Sequence, residues 1–161
     1  MKIKKVLWLE DQYEDFSAYR SALFRAGYLV DTAESVSEAI KKLREEDYIA
    51  IIFDIKVLPG DDEDWIKLDR KKRKENPNFD SYLGLELLYS LFNSPYAKVK
   101  LTPPIQMEKI PPNKIIIFSV VYDIKKEVLD MGILKEHIVY KSASNITTLP
   151  ELIGEMGINE K

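Results

Sequence analysis

The sequence predicts an open, parallel α/β sheet in one layered domain, with helices on both faces. Compact runs rich in Ile, Val and Phe alternate five times with helix-period segments. Those runs are apolar nearly throughout instead of alternating with polar residues, as in strands covered on both sides. At 161 residues, 45% hydrophobic and 32% charged, the chain is long enough for one domain with a real core and short for two.

The elements follow in order. "KKVLWLED" (4–11) reads as the first strand and ends in two acids. "EDFSAYRSALFRAG" (14–27) places Phe16, Tyr19, Leu23 and Ala26 on one helical stripe and stops at Gly27, a C′ residue. "YLVDTA" (28–33) is a shorter strand. "SVSEAIKKLREE" (35–46) opens a helix with Ser35 and Glu38 at capping-box spacing. "YIAIIFD" (48–54) is the third strand, again ending in an acid, and "SYLGLELLYSLF" (81–92) is a strongly apolar helix. "KIIIFSV" (114–120) and "HIVYKS" (137–142) are the fourth and fifth strands, ending in a hydroxyl and a lysine. Between them "DIKKEVLDMG" (123–132) is a helix with Asp123 as its expected N-cap. "TLPELIGEM" (148–156) is the last helix, with Thr148 and Glu151 at capping spacing.

Two stretches break this rhythm, at about 60–80 and 94–113, and both read as insertions because they exceed ordinary connections. The first is a block of acids followed by a block of bases, and the second carries five prolines. Trp65 and the run Arg70 to Lys74 offer a docking patch, but the first insertion as a whole reads as a solvated charged loop. On that reading, exchanging residues 62–79 for a short linker leaves the fold intact.

Lys plus Arg (24) nearly balance Asp plus Glu (27), which gives no general attraction to nucleic acid. The absence of cysteine excludes disulfides, thiolate catalysis and cysteine-ligated metal. No signal-peptide core follows Met1, and no apolar run approaches the roughly 20 residues that span a bilayer. A soluble, cytoplasmic protein without membrane contact is expected.

In an open α/β sheet, ligands gather at the carboxyl ends of the strands. Those ends carry Glu10 and Asp11, then Asp54, Ser119 and Lys141. Asp54 closes a buried strand, where an unpaired carboxylate is costly. Two carboxylates about 4 Å apart repel by about 4 kcal/mol at an effective dielectric of 20, so the group needs a cation. Oxygen ligands favour Mg²⁺, which takes one or two carboxylates together with waters and phosphate oxygens. A lysine and a hydroxyl beside it suit an incoming phosphoryl group, which a carboxylate can accept as an acyl phosphate. The lone His137 carries no assignment.

These five positions, with "GLELL" (84–88), resemble the receiver domains of two-component response regulators from about Lys4 to Met156. The resemblance implies a flavodoxin-like five-stranded sheet in order 2-1-3-4-5. It implies Asp54 as phosphoacceptor, with Asp11, Asp54 and the Lys56 backbone carbonyl holding Mg²⁺, and Glu10 acting through water. Lys141 would pair with the phosphoryl oxygens and Ser119 would hydrogen-bond them. A histidine kinase or phosphotransfer protein would donate, and output would pass to a downstream protein target. The chain ends soon after its last helix, so no DNA-binding domain is expected. Activity would be at most self-phosphorylation from a donor and autodephosphorylation, without turnover of free substrates. A degenerate receiver that binds partners without phosphorylation is the alternative. Asp54-Ile55-Lys56 is also similar to the nucleophile segment of haloacid-dehalogenase-type phosphatases, but Lys56 stands where their second aspartate falls.

The sequence departs from the receiver pattern at three places. Pro59 is fifth after the acceptor instead of fourth. Ser142 replaces the proline that usually follows the lysine. Ile138 occupies the aromatic switch position, and Tyr140, of the same strand parity, is the candidate to replace it.

Overall fold

A computed structural model describes residues 3–78 and 80–159. Strands β1 (Lys5–Leu9), β2 (Leu29–Ala33), β3 (Ala50–Phe53), β4 (Ile115–Ser119) and β5 (Ile138–Tyr140) form one sheet. All pairings are parallel, as the sequence predicts, and the order is β2-β1-β3-β4-β5, as the receiver resemblance implies. The helices are α1 (Ser17–Arg25), α2 (Val36–Glu45), α3 (Glu63–Glu75), α4 (Leu83–Leu91), α5 (Lys125–Asp130) and α6 (Thr148–Asn159).

Alternation along the central strands builds two cores. Leu7, Leu9, Ile51, Phe53, Ile115 and Ile117 face α2, α3, α4 and α5, whereas Val6, Trp8, Ile52, Ile116 and Phe118 face α1 and α6. With both faces covered, β1, β3 and β4 are almost wholly buried, which explains their continuous apolar character. Among the described residues no helix is long and apolar enough to cross a membrane.

Capping follows the sequence in part. The Ser35 hydroxyl accepts from the Glu38 amide at 3.2 Å, and the Glu38 carboxylate accepts from the Glu34 amide at 2.9 Å. Asp123 does not cap α5; its carboxylate accepts from the Tyr82 hydroxyl at 3.3 Å instead. Thr148 is the first residue of α6, and its hydroxyl accepts from the backbone amide of Asn145, outside the helix.

The first insertion is not a solvated loop. It forms the 13-residue helix α3, which puts Trp65 (1% exposed) and Leu68 into the core. The Asp62 carboxylate caps the helix by accepting from the Asp64 amide at 2.9 Å. Glu63 and Asp64 lie in its first turn and Lys72, Arg73 and Lys74 in its last, which complements the helix dipole at both ends. Acids followed by bases are therefore the charge pattern of a helix here. Lys72 binds the buried Glu86 of α4 at 2.7 Å, clamping the two helices together.

The second insertion has no long element but is anchored. It buries Leu101, Ile105 and Ile110 in the same core. The Ser90 hydroxyl donates to the Val99 carbonyl at 2.6 Å, and Lys109 donates to the Leu43 carbonyl at the end of α2 at 2.8 Å.

Candidate functional site

Three strand ends converge. The Glu10 amide donates to the Ala33 carbonyl and the Asp54 amide to the Leu9 carbonyl, so sheet bonding runs on to the first acids themselves. This fixes the backbone of both residues at the rim. Glu10 is 0% and Asp54 3% exposed, whereas Asp11 is half-buried. Glu10, Asp11 and Asp54 each present a carboxylate oxygen, and these oxygens lie within 4.8 Å of one another.

Lys141 opens the turn after β5 and reaches back over the sheet end. Its Nζ donates to Glu10 Oε2 at 2.6 Å and to Asp54 Oδ2 at 2.9 Å. The ammonium also lies over the rings of Phe16 (4.7 Å) and Phe118 (5.6 Å), a cation–π seat for the charged end of the side chain. Asp54 Oδ1 accepts from the Ile55 amide at 2.7 Å, so each oxygen of this carboxylate has one partner.

One ammonium among three acids does not balance the charge. Burial, with the neighbouring Asp54, pushes the Glu10 carboxyl up to about 7 despite its bond to Lys141. The same two causes raise Asp11. Burial works against the Lys141 ammonium, but Asp54 and Glu10 outweigh it and hold the lysine above its ordinary value. These are all oxygen donors, clustered and short of positive charge, so the set fits a hard divalent cation such as Mg²⁺.

Ser119 ends β4 at the same rim and is buried; its hydroxyl accepts from the Val121 amide at 3.2 Å. Its bond is thus to its own loop. Lys56 lies two residues beyond Asp54 with its side chain in solvent. Val120 is 49% exposed beside Ser119.

The loop after Asp54 is tied down on both sides. Leu58 bridges to Ser35, the Val36 and Ser37 amides donate to the Leu58 and Pro59 carbonyls, and the Asp61 amide donates to Ser37 Oγ. Gly60 has φ of +89°, and a Cβ there would meet Ser37 Oγ at 1.8 Å, so only glycine fits this crossing. On the other side α4 is docked end-on, with the Gly84 amide donating to the Ile55 carbonyl at 2.9 Å. A Cβ on Gly84 would stand 2.0 Å from the Asp54 carbonyl oxygen. No feature of "GLELL" beyond the glycine itself signals this close approach.

Ile138 is half-buried and packs on the core. Tyr140 stacks on Tyr122 with ring centroids 4.3 Å apart and 24° between planes, and the Tyr122 hydroxyl bonds Ser142 Oγ. Ser142, at the place of the expected proline, is therefore joined to the β4–α5 loop. Tyr122, Phe16 and Phe118 are site neighbours that the sequence reading does not single out. In the sequence Phe16 stands only on a helix stripe, and its contact depends on where β5 returns Lys141.

Solved structures share this architecture. A CheY-like response regulator receiver domain protein from Methanospirillum hungatei is 19% identical, with 99% of this chain and 98% of that chain covered and a TM-score of 0.61. A response regulator receiver domain from Francisella is 18% identical over 98% and 99%, with a TM-score of 0.60. A Thermotoga maritima response regulator in complex with Mg²⁺ and BeF is 22% identical over 95% and 98%, with a TM-score of 0.55. No protein-family model and no curated protein matches the chain. The chain has the receiver fold, and its acidic cluster lies at the carboxyl end of the sheet where the resemblance predicts it.

Proposed function

We propose that this chain is a phosphoacceptor receiver, taking a phosphoryl group onto Asp54 from a phosphohistidine of a kinase or phosphotransfer protein. The observation that carries the reading is the cluster of Glu10, Asp11 and Asp54, in which a single lysine bridges the two buried acids, Glu10 and Asp54. Asp11, Asp54 and the Lys56 carbonyl would hold Mg²⁺, with Glu10 assisting through water. Mg²⁺ bound there supplies charge neutralisation for an incoming phosphoryl group.

The remaining roles belong to the chain. An Asp54 carboxylate oxygen forms the new bond to phosphorus as the donor's P–N bond breaks. The bonding pair stays on that nitrogen, and the donor departs as neutral imidazole because its other ring nitrogen is protonated in the phosphohistidine. Lys141 turns from the carboxylates to the phosphoryl oxygens, and the Phe16 and Phe118 rings limit how far it moves. Ser119 exchanges its bond to the Val121 amide for one to the phosphoryl group. Signalling follows through protein–protein contacts.

A small phosphodonor tests this by intact-mass spectrometry. One phosphoryl group per chain is expected with Mg²⁺, and none in excess chelator. Absence of any mass gain with Mg²⁺ present supports the second reading, a receiver that binds partners without phosphorylation. The specific observation favouring that reading is Ile138, whose aliphatic side chain packs on the core at the aromatic switch position. Continuous phosphate release over many turnovers would point instead to a phosphatase.

A further inference from the structure

We propose that the groove between α3 and residues 98–100 docks an acidic peptide segment of a partner protein, one that carries an apolar residue between carboxylates. Lys67, Lys71, Lys98 and Lys100 line this groove against a single acid, Asp64, and Leu68 and Val99 form its floor. The chain as a whole carries a net charge of −3, so this concentration of positive charge is local and opposite in sign to the rest of the molecule.

Helix geometry selects the lysines. The basic run from Arg70 to Lys74 does not act as one patch, because Lys72 is turned in to Glu86 and Arg73 is paired with Asp69 at 3.0 Å. Lys67 and Lys71, four residues apart, stand on one stripe with Asp64 and Leu68, and this stripe borders the groove. Lys71, Lys98 and Lys100 are exposed and have no salt bridge among the described residues. Lys67 has only the loose contact to Glu63 at 3.8 Å.

The chemistry favours a peptide over nucleic acid. Among the described residues no aromatic side chain lines the groove, so they offer bases no stacking platform. The acids Asp61, Asp62 and Glu63 at the mouth of α3 repel a continuous phosphate backbone. A short carboxylate-bearing segment avoids them and can lay one apolar side chain on Leu68 and Val99. The inference is independent of whether Asp54 is phosphorylated.

A fluorescein-labelled peptide of Glu and Asp residues flanking one leucine serves as the probe, followed by anisotropy at low salt. Binding should weaken as salt is raised, and by about tenfold or more when Lys71→Glu and Lys98→Glu are combined. The paired reversal Lys125→Glu with Lys126→Glu on α5 should leave affinity unchanged. Amide shifts on binding should centre on residues 64–71 and 98–100. Equal loss from both double variants, or shifts centred elsewhere, would overturn the site. Tighter binding of an oligothymidylate than of the peptide, lost with the same two lysines, would overturn the assignment of a peptide. All four lysines are solvated, so the variants should keep the wild-type melting temperature, which is checked alongside.

Discussion

Gly84 shows how a single hydrogen atom positions the site. Its missing Cβ lets the first turn of α4 rest on the Asp54–Ile55 backbone, and Gly84→Ala would force an atom to 2.0 Å from the Asp54 carbonyl oxygen. Relief requires a backbone shift, at a cost of about 1–3 kcal/mol. Urea unfolding should show that loss, and phosphorylation by a small donor should slow as the acceptor loop moves. Wild-type stability and rate in this variant would mean that α4 is free to slide. Val120 bears on the lifetime of the phosphoryl group. It stands half-exposed beside Ser119, where it would crowd water attacking a phosphoryl group on Asp54, and Lys56 offers no carboxamide to orient that water. The phosphoryl group should be lost slowly, and Val120→Ala should hasten the loss; unchanged or slower hydrolysis would remove the steric argument. At this scale the sequence was most informative about acids and lysine, because their cost at strand ends demands partners. It was least informative about Gly84, Phe16 and Tyr122, whose contacts arise only when distant segments meet.

At the scale of elements, α3 is the main correction. Its composition suggested a solvated segment, because charges dominate and only Trp65, Ile66 and Leu68 are large and apolar among its thirteen residues. The overlooked signals were the Asp62 cap, acids in the first turn and bases in the last. Trp65 then decides the packing, since truncating a buried aromatic to alanine typically costs about 3–5 kcal/mol. Trp65→Ala should lower stability in urea by about that amount, and exchanging residues 62–79 for a flexible linker should destabilise or unfold the protein. Near-wild-type stability of the linker variant would restore the loop reading. The Lys72–Glu86 clamp makes a separate prediction. Lys72→Met leaves a buried carboxylate unpaired, and loss of one partner from a buried pair commonly costs about 3–5 kcal/mol. Lys72→Met combined with Glu86→Leu should recover much of that loss, as measured by the same unfolding curve.

Across the whole molecule, the two-faced core was legible in the sequence because parallel strands buried on both sides leave a distinctive run of Ile, Val and Phe, whereas the strand order was reached only through the receiver resemblance. Strand order brings the ends of β1 and β3 side by side, and the Glu10, Asp11 and Asp54 cluster follows from that adjacency. Divalent metal should therefore stabilise the folded state as a whole, by the linkage between binding and unfolding. Mg²⁺ should raise the wild-type melting temperature by several degrees and have little effect on Asp11→Asn. The central claim is that Asp54 itself carries the phosphoryl group, and acyl phosphates can be trapped where they form. After treatment with a small donor and Mg²⁺, borohydride reduction converts a phosphorylated aspartate to homoserine, which peptide mass spectrometry places in the sequence. Homoserine at position 54, in wild type and not in chelator, is the predicted result. Homoserine at another acid, or an undiminished phosphoryl yield in Asp54→Asn, would contradict it.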